Sequence, residues 1–289
     1  MVDRYLWTPA AAAVFALIAT VLATLLYDRM KRRITVTYIC RPQRALVDEI
    51  HSLYLQRIEA NERVSPEYLT HCLNGARDCV TSGQDLFNLD RRSDLPEVMH
   101  LLLAARYQGE VVGMAKAIFV ASASVLFIAY VAVQPGVASV ERRAMRLLLA
   151  AMAKVARSDG PVRWVAFELT NTDVKVTHAK GRLFRHHARS LGIDLKRVQF
   201  EYLQPDLDCV ALDKCEEVPA ELYVAAIDGT PTAIPLPELW AIMRGIMVNI
   251  YVASWLIDHS ATDRPALETY VLDLTKLMLD GLPDPVPLI

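Results

Sequence analysis

The sequence predicts an α/β protein built on one mixed sheet, with a membrane helix ahead of it and a helical pair behind it. Three observations carry this. Residues 7–27 form an uninterrupted apolar stretch. The centre of the chain holds three segments rich in branched and aromatic residues, followed by alternating helical and strand patterns. Beyond Pro237 the pattern becomes helical again. Runs of strands and helices in this order bury their apolar faces as layers around a single sheet.

From Trp7 to Tyr27 the chain carries no charge, and Arg29, Lys31, Arg32 and Arg33 follow at once. About 20 apolar residues at 1.5 Å each span the hydrocarbon layer. Thr8 and Pro9 read as an N-cap and first helical residue, because proline's missing N–H costs nothing there. Trp7 and Tyr27 stand where interfacial rings belong, and the basic block marks the cytoplasmic side. A cleaved signal peptide carries its positive charge before the apolar stretch, not after it. The expected orientation is N-terminus out and the remainder inside, with segment 1–33 as anchor and basic juxtamembrane block. Ala12, Ala16 and Thr20, with Ala19 and Ala23, place small residues four apart, which permits close helix contact and a homodimer.

The spacing of Leu46, Val47, Ile50, Leu53, Tyr54 and Ile58 predicts a helix from Arg44 to about Asn61. Ser65-Pro66 opens a second, over Glu67 to about Val80, and a polar stretch, Asp85–Asp94, follows. Val98–Tyr107 and Val111–Phe119 flank the turn Gln108-Gly109-Glu110 and read as a hairpin. Val125–Val133 extends it into a meander ended by Gln134-Pro135-Gly136. Ser139–Arg157 is then a helix, Val162–Thr170 a strand, Gly181–Leu191 a helix, and Val198–Leu203 and Glu221–Ile227 strands. Leu239–Ile257 is long enough to be a second span. Arg244 near its middle would cost about 2.5–3.5 kcal/mol on insertion, so a helix packed on the domain is expected. Pro265–Asp280 is amphipathic and pairs with it, and Leu282–Ile289 reads as an extended tail. The expected division is 1–33, a domain over 34–236, and a helical extension over 237–289.

The formal net charge of −2 over 289 residues gives no global attraction for nucleic acid. The basic block beside the anchor faces lipid headgroups instead. Five cysteines, Cys40, Cys72, Cys79, Cys209 and Cys215, form no C-x-x-C pair and read as small buried hydrophobes. No metal site is expected. His186 and His187 are adjacent on a helix and point about 100° apart, so with Arg182, Arg185 and Arg189 they read as a solvated basic face.

Over about Asp85 to Ile227 the chain resembles the GCN5-related N-acetyltransferase (GNAT) superfamily. VLFIAYVAVQP resembles that family's central strand before its acyl-CoA loop, and ASVERRAMRLLLAAMAKVA stands where its pyrophosphate-binding helix stands. VRWVAFELTN resembles the next strand, which splays away, and RLFRHHARSLGI the following helix. The resemblance implies a GNAT-like fold in which a V-shaped gap between Phe127–Val133 and Val165–Thr170 takes acetyl-CoA or another acyl-CoA. It implies cofactor contacts from Val131, Val133, Gly136, Ser139, Arg142, Arg143 and Asn171, and acyl transfer to an amine. The chain departs from the family pattern in two places. The loop after Gln134 lacks the later glycines, so Arg142 and Arg143 would have to compensate by charge-assisted bonds. Ala188 stands four residues before Gly192, where relatives carry a tyrosine that protonates the thiol.

Glu168 lies in the otherwise apolar run Trp164–Leu169 and is the general-base candidate, since burial raises a carboxylate toward useful basicity. Strand alternation alone would instead place it on a solvated face beside a lysine or arginine. Glu141 suits a helix N-terminus but would repel a phosphate. Asn171 also reads as a turn cap, and Tyr130 and Tyr202 read as core residues able to donate a proton. The expected function is a membrane-tethered acyl-CoA-dependent N-acyltransferase. The alternative is a catalytically degenerate sensor or interaction module of the same fold.

Overall fold

The computed structural model describes residues 33–39, 44–58, 98–136, 138–157, 162–170, 174–205, 216–258 and 263–289. The predicted anchor, the helix expected over 67–80 and all five cysteines lie outside these residues.

Strands β1 (Thr35–Tyr38), β2 (Val98–Tyr107), β3 (Glu110–Val120) and β4 (Val125–Val133) form an antiparallel meander. The β2–β3 turn places Gln108 and Gly109 at positive φ, 55° and 93°, the geometry a two-residue hairpin requires. Helix α2 (Ala138–Arg157) lies between β4 and β5 (Trp164–Thr170), which are parallel neighbours. That connection is the crossover a parallel pair needs. Next to β5 runs β8 (Glu217–Ala226), antiparallel, and both β6 (Lys196–Arg197) and β7 (Tyr202–Pro205) pair with it. The sheet thus has eight strands.

Helices α2 and α3 (Val174–Ser190) cover one face. There Leu148, Met152 and Val155 share a core with Leu126, Ile128, Val165 and Phe167. The opposite face is covered at one end by α1 (Arg44–Arg57), through Ile50, Leu53 and Tyr54. At the other end α4 (Leu236–Ile246) runs through a π-helical turn, Met247–Val252, into α5 (Ala253–Asp258), and α6 (Arg264–Leu279) packs beside it. Leu239, Ile242, Met243 and Ile246 are fully buried against Val120, Val125 and Phe127. Leu236–Leu256 is long and apolar enough to cross a membrane by composition, yet 61% of its most apolar stretch is buried inside the protein. Its apolar side chains are spent on the sheet, and Arg244 is exposed, as expected for a packed helix.

Several elements differ from the sequence reading. β1 was not expected, because Thr35–Tyr38 follows directly on the basic block. It is an edge strand of alternating exposure, and its partner β2 is distant in sequence. Helix α3 begins at Val174 rather than Gly181. The β-branched Val174, Val176 and Thr177 weaken the local helical signal, but buried Thr177 donates its hydroxyl to the Thr170 carbonyl at 2.9 Å and ties the first turn to β5. The strand expected over Val198–Leu203 is split into β6 and β7, with Val198 bridging Leu288 between them. The tail is therefore a sheet element, since β10 (Val286–Pro287) also pairs with β9 (Ala233–Ile234). β8 begins at Glu217, not Glu221.

Gly181 shows how closely α3 sits on the sheet. A Cβ there would lie 2.5 Å from the Tyr223 hydroxyl oxygen. That phenol stacks on Phe167 with ring centroids 4.8 Å apart and donates to Glu221 at 2.7 Å. Gly181→Ala should therefore lose about 1–3 kcal/mol by overpacking, against a helix-propensity gain of about 1 kcal/mol. Denaturant unfolding checks this, and adding Tyr223→Phe, which deletes the clashing oxygen, should return part of the loss.

Candidate active site

The site begins with a register fault. Along β3–β4, Ala117 faces Ile128 and Lys116 faces Tyr130, so Ala129 is an extra, unpaired residue. A bulge of this kind bends its strand and increases the local twist. On the other edge, β4 pairs with β5 only from Val125↔Trp164 to Ile128↔Phe167. Pairing stops at the residue before the bulge. From Ala129 and Glu168 onward the strands run on to Val133 and Thr170, each still bonded to its outer neighbour but not to the other.

The bulge also reverses the alternation of side chains. Leu126 and Ile128 face the α2–α3 core, and after the extra residue Val131 and Val133 do so. Tyr130 and Ala132 instead face the side of α1. The gap is lined from both faces of the sheet, as a cavity of 310 Å³. Met145, Leu183 and Phe184 close it on the α2–α3 side, and Gln204, Ile250 and Tyr251 on the other.

Glu168 is the first residue of β5 beyond the last β4 pair, and it lines this cavity. It is half-buried on the face opposite α2 and α3. The position is therefore not the fully solvated one that strand alternation alone would give. The carboxylate accepts the Tyr202 hydroxyl at Oε1 and the Tyr251 hydroxyl at Oε2, the latter at 2.6 Å. Tyr251 also lies 3.0 Å from Gln204 Oε1, while Gln204 Nε2 donates to Thr170 Oγ1 at 2.9 Å. The amide is thereby held with its oxygen toward the phenol. Burial pushes both phenols well above the ordinary tyrosine range, and the Glu168 charge and hydrogen bonds push them further.

The other predicted positions fall into three groups. Val131 and Val133 line the gap. Gly136 follows at φ 145° with open space around it, a conformation that favours glycine. Arg142 and Arg143 are exposed in the first turns of α2. Ser139 lies in the first turn of α2, with its side chain outside the described residues, and Asn171 is outside them altogether. Glu141 folds back so that the Gly136 N–H donates to its Oε1 at 2.7 Å. An internal carboxylate thus holds the loop at the helix N-terminus. Ala188 is buried in the α2–α3 core and presents no donor.

Tyr251 was missed by sequence reasoning. It sits in a helix whose composition reads as core, and only the fold carries that helix beneath β5. The signal available was a tyrosine in a run, Met247–Val252, whose only other polar residue is Asn249.

No family model matches the chain, and no curated protein matches it. Solved structures resemble it at low identity. One is a protein assigned to the GNAT acetyltransferases from Bacteroides thetaiotaomicron, at TM-score 0.45 and 9% identity over 66% of this chain and 85% of that one. An N-acetyltransferase from Staphylococcus aureus scores 0.42 at 8% identity, over 68% and 99%. Diaminobutyrate acetyltransferase from Paenibacillus lautus, solved with its substrate and coenzyme A, scores 0.38 at 17%, over 69% and 99%. All three TM-scores lie below 0.5.

Both phenols are raised above their unfolded values, so their contribution to stability is complete below about pH 10. It is lost as pH rises through the higher folded values. Ultraviolet titration should show these phenols ionising above the exposed tyrosines. Glu168→Gln should lower both by removing the neighbouring charge, yet leave them elevated because burial persists.

Proposed function

We propose that this domain is an acyl-CoA-dependent N-acyltransferase of the GNAT type. The observation that carries the reading is the parting of β4 and β5 at the Ala129 bulge. It leaves two strand edges facing a gap that passes through the sheet. The strand edges along that gap, no longer laddered to each other, suit the amides of a pantetheine arm. The α2–α3 side, with Val131 and Val133, would receive the thioester, and Glu168 on the opposite side would receive the amine. The amine nitrogen attacks the thioester carbon, Glu168 takes its proton, and the carbon–sulfur bond breaks with its electron pair on sulfur.

The reading includes the tether. Residues 7–27 would anchor the protein, with the domain on the cytoplasmic side and close helix contact supporting a homodimer. Arg33 lies just ahead of β1, and Thr35 pairs with Arg106 at the sheet end that holds Val133. This supports an amine acceptor resident at, or close to, the membrane.

A second reading, a ligand-binding module without turnover, is favoured by the Glu141 carboxylate on the Gly136 N–H and by the buried Ala188. Two measurements separate them. Acetyl-CoA at a hundredfold its dissociation constant should stabilise the protein by about 2.7 kcal/mol, and no shift with acetyl- or long-chain acyl-CoA rejects both readings. Thiol release should then follow with a polyamine, a peptide N-terminus or an aminophospholipid as acceptor. It should fall roughly 10²–10⁴-fold in Glu168→Gln; a shift without release leaves the binding module. Glu141→Gln should tighten acyl-CoA binding by about two- to fivefold, since a charge at a helix N-terminus is worth about 0.3–1 kcal/mol.

A further inference from the structure

Acyl transfer to an amine releases a proton from nitrogen and consumes one at sulfur. If Glu168 takes the first, it must shed it before the next cycle. The route out of that carboxylate that leads into the cavity is the 2.6 Å hydrogen bond to Tyr251. We propose that Tyr251, delivered by the helix after the sheet, is the acid that protonates the departing thiolate. This rests on the acyl-transfer reading above.

The geometry supports a relay and not a passive strut. Tyr251 lines the same cavity as Glu168 and the diverging part of β4. It is buried, and at neutral pH it holds its proton. Its hydroxyl has two acceptors within reach, Glu168 Oε2 at 2.6 Å and Gln204 Oε1 at 3.0 Å, for one hydrogen. Gln204 is itself fixed by its bond to Thr170. When Glu168 becomes protonated it turns from acceptor to donor. The phenol then accepts from it and its own hydrogen is released to point elsewhere. Tyr202 shares the carboxylate but lines none of the cavity, so it holds Glu168 without reaching substrate.

The helix is locally reshaped where it makes this contact. Met247–Val252 winds as a π-helix between α-helical segments, and such widened turns recur at functional sites. Met247, Ile250, Tyr251 and Val252 are all buried. The wider turn brings the phenol to the carboxylate while its neighbours stay in the core.

The steps balance. The nitrogen–carbon bond forms as Glu168 accepts the amine proton. The carbon–sulfur bond breaks as the Tyr251 hydrogen passes to sulfur, and Glu168 returns its proton to the phenolate. The products are amide and free thiol, with both side chains restored and no proton drawn from bulk water.

The test compares two acetyl thioesters on the full chain and on Tyr251→Phe. One is acetyl-CoA. The other is the acetyl ester of 4-nitrothiophenol, whose thiolate leaves without needing a proton. With acetyl-CoA, Tyr251→Phe should lose roughly 10²-fold in kcat at unchanged KM, and with the aryl thioester it should lose little. Equal losses on both would make Tyr251 a structural support and overturn the assignment while acyl transfer stands. Failure of the unmodified protein to turn over either thioester would instead overturn acyl transfer itself, and the relay with it.

Discussion

The unpaired residue at Ala129 is the constraint on which the rest of the site depends. Parallel strands of branched residues buried on both faces ladder continuously unless something interrupts them, because an unpaired buried backbone group costs as much as a lost hydrogen bond. The bulge supplies the interruption without unfolding either strand. β4 stays bonded to β3 and β5 to β8, so each keeps one satisfied edge while its other edge is released. The same residue reverses the alternation, sending Val131 and Val133 to one side and Tyr130 to the other. A single insertion thus both opens the slot and decides which side chains meet each half of it.

The second dependence is on the helix after the sheet. Its apolar surface is what the composition announces, and most of that surface closes the core beneath Val120, Val125 and Phe127. Gly245 marks the closeness of that packing, since a Cβ there would stand 3.0 Å from Val120 Cγ1. Close seating fixes the register of the helix against the sheet, and the register is what brings Tyr251 onto Glu168. Core packing and the Tyr251–Glu168 contact are therefore not separable in this chain.

Much of the sheet was legible because its signals are local. The turn at Gln108-Gly109, the loop after Gln134 and the apolar face of α2 each announce themselves within a few residues. The elements that escaped are those fixed by distant partners. β1 exists only because β2 accepts it, and Val198 bridges Leu288 from the tail while its N–H still reaches Leu222 of β8. At the site the division is the same. Glu168 stood out as a charge in an apolar run, but its two phenol partners lie 34 and 83 residues away in sequence. No periodicity reports such a meeting. The bulge was equally silent, since Val125–Val133 reads as an unbroken strand.

The loop at the start of α2 shows a compensation with a cost. Without further glycines, the turn after Pro135 needs something to satisfy its amides, and Glu141 does so from within the helix. The carboxylate suits the positive end of the helix dipole. It also occupies the position at which an incoming phosphate would seek the same donors. Any anion arriving there must displace Glu141 or draw it aside, and Arg142 and Arg143, exposed on the same turns, are the groups able to offset that charge. Loop order and ligand affinity are therefore set in opposition by one side chain. A strongly charged anion would therefore displace Glu141 from the Gly136 N–H more readily than a weakly charged one.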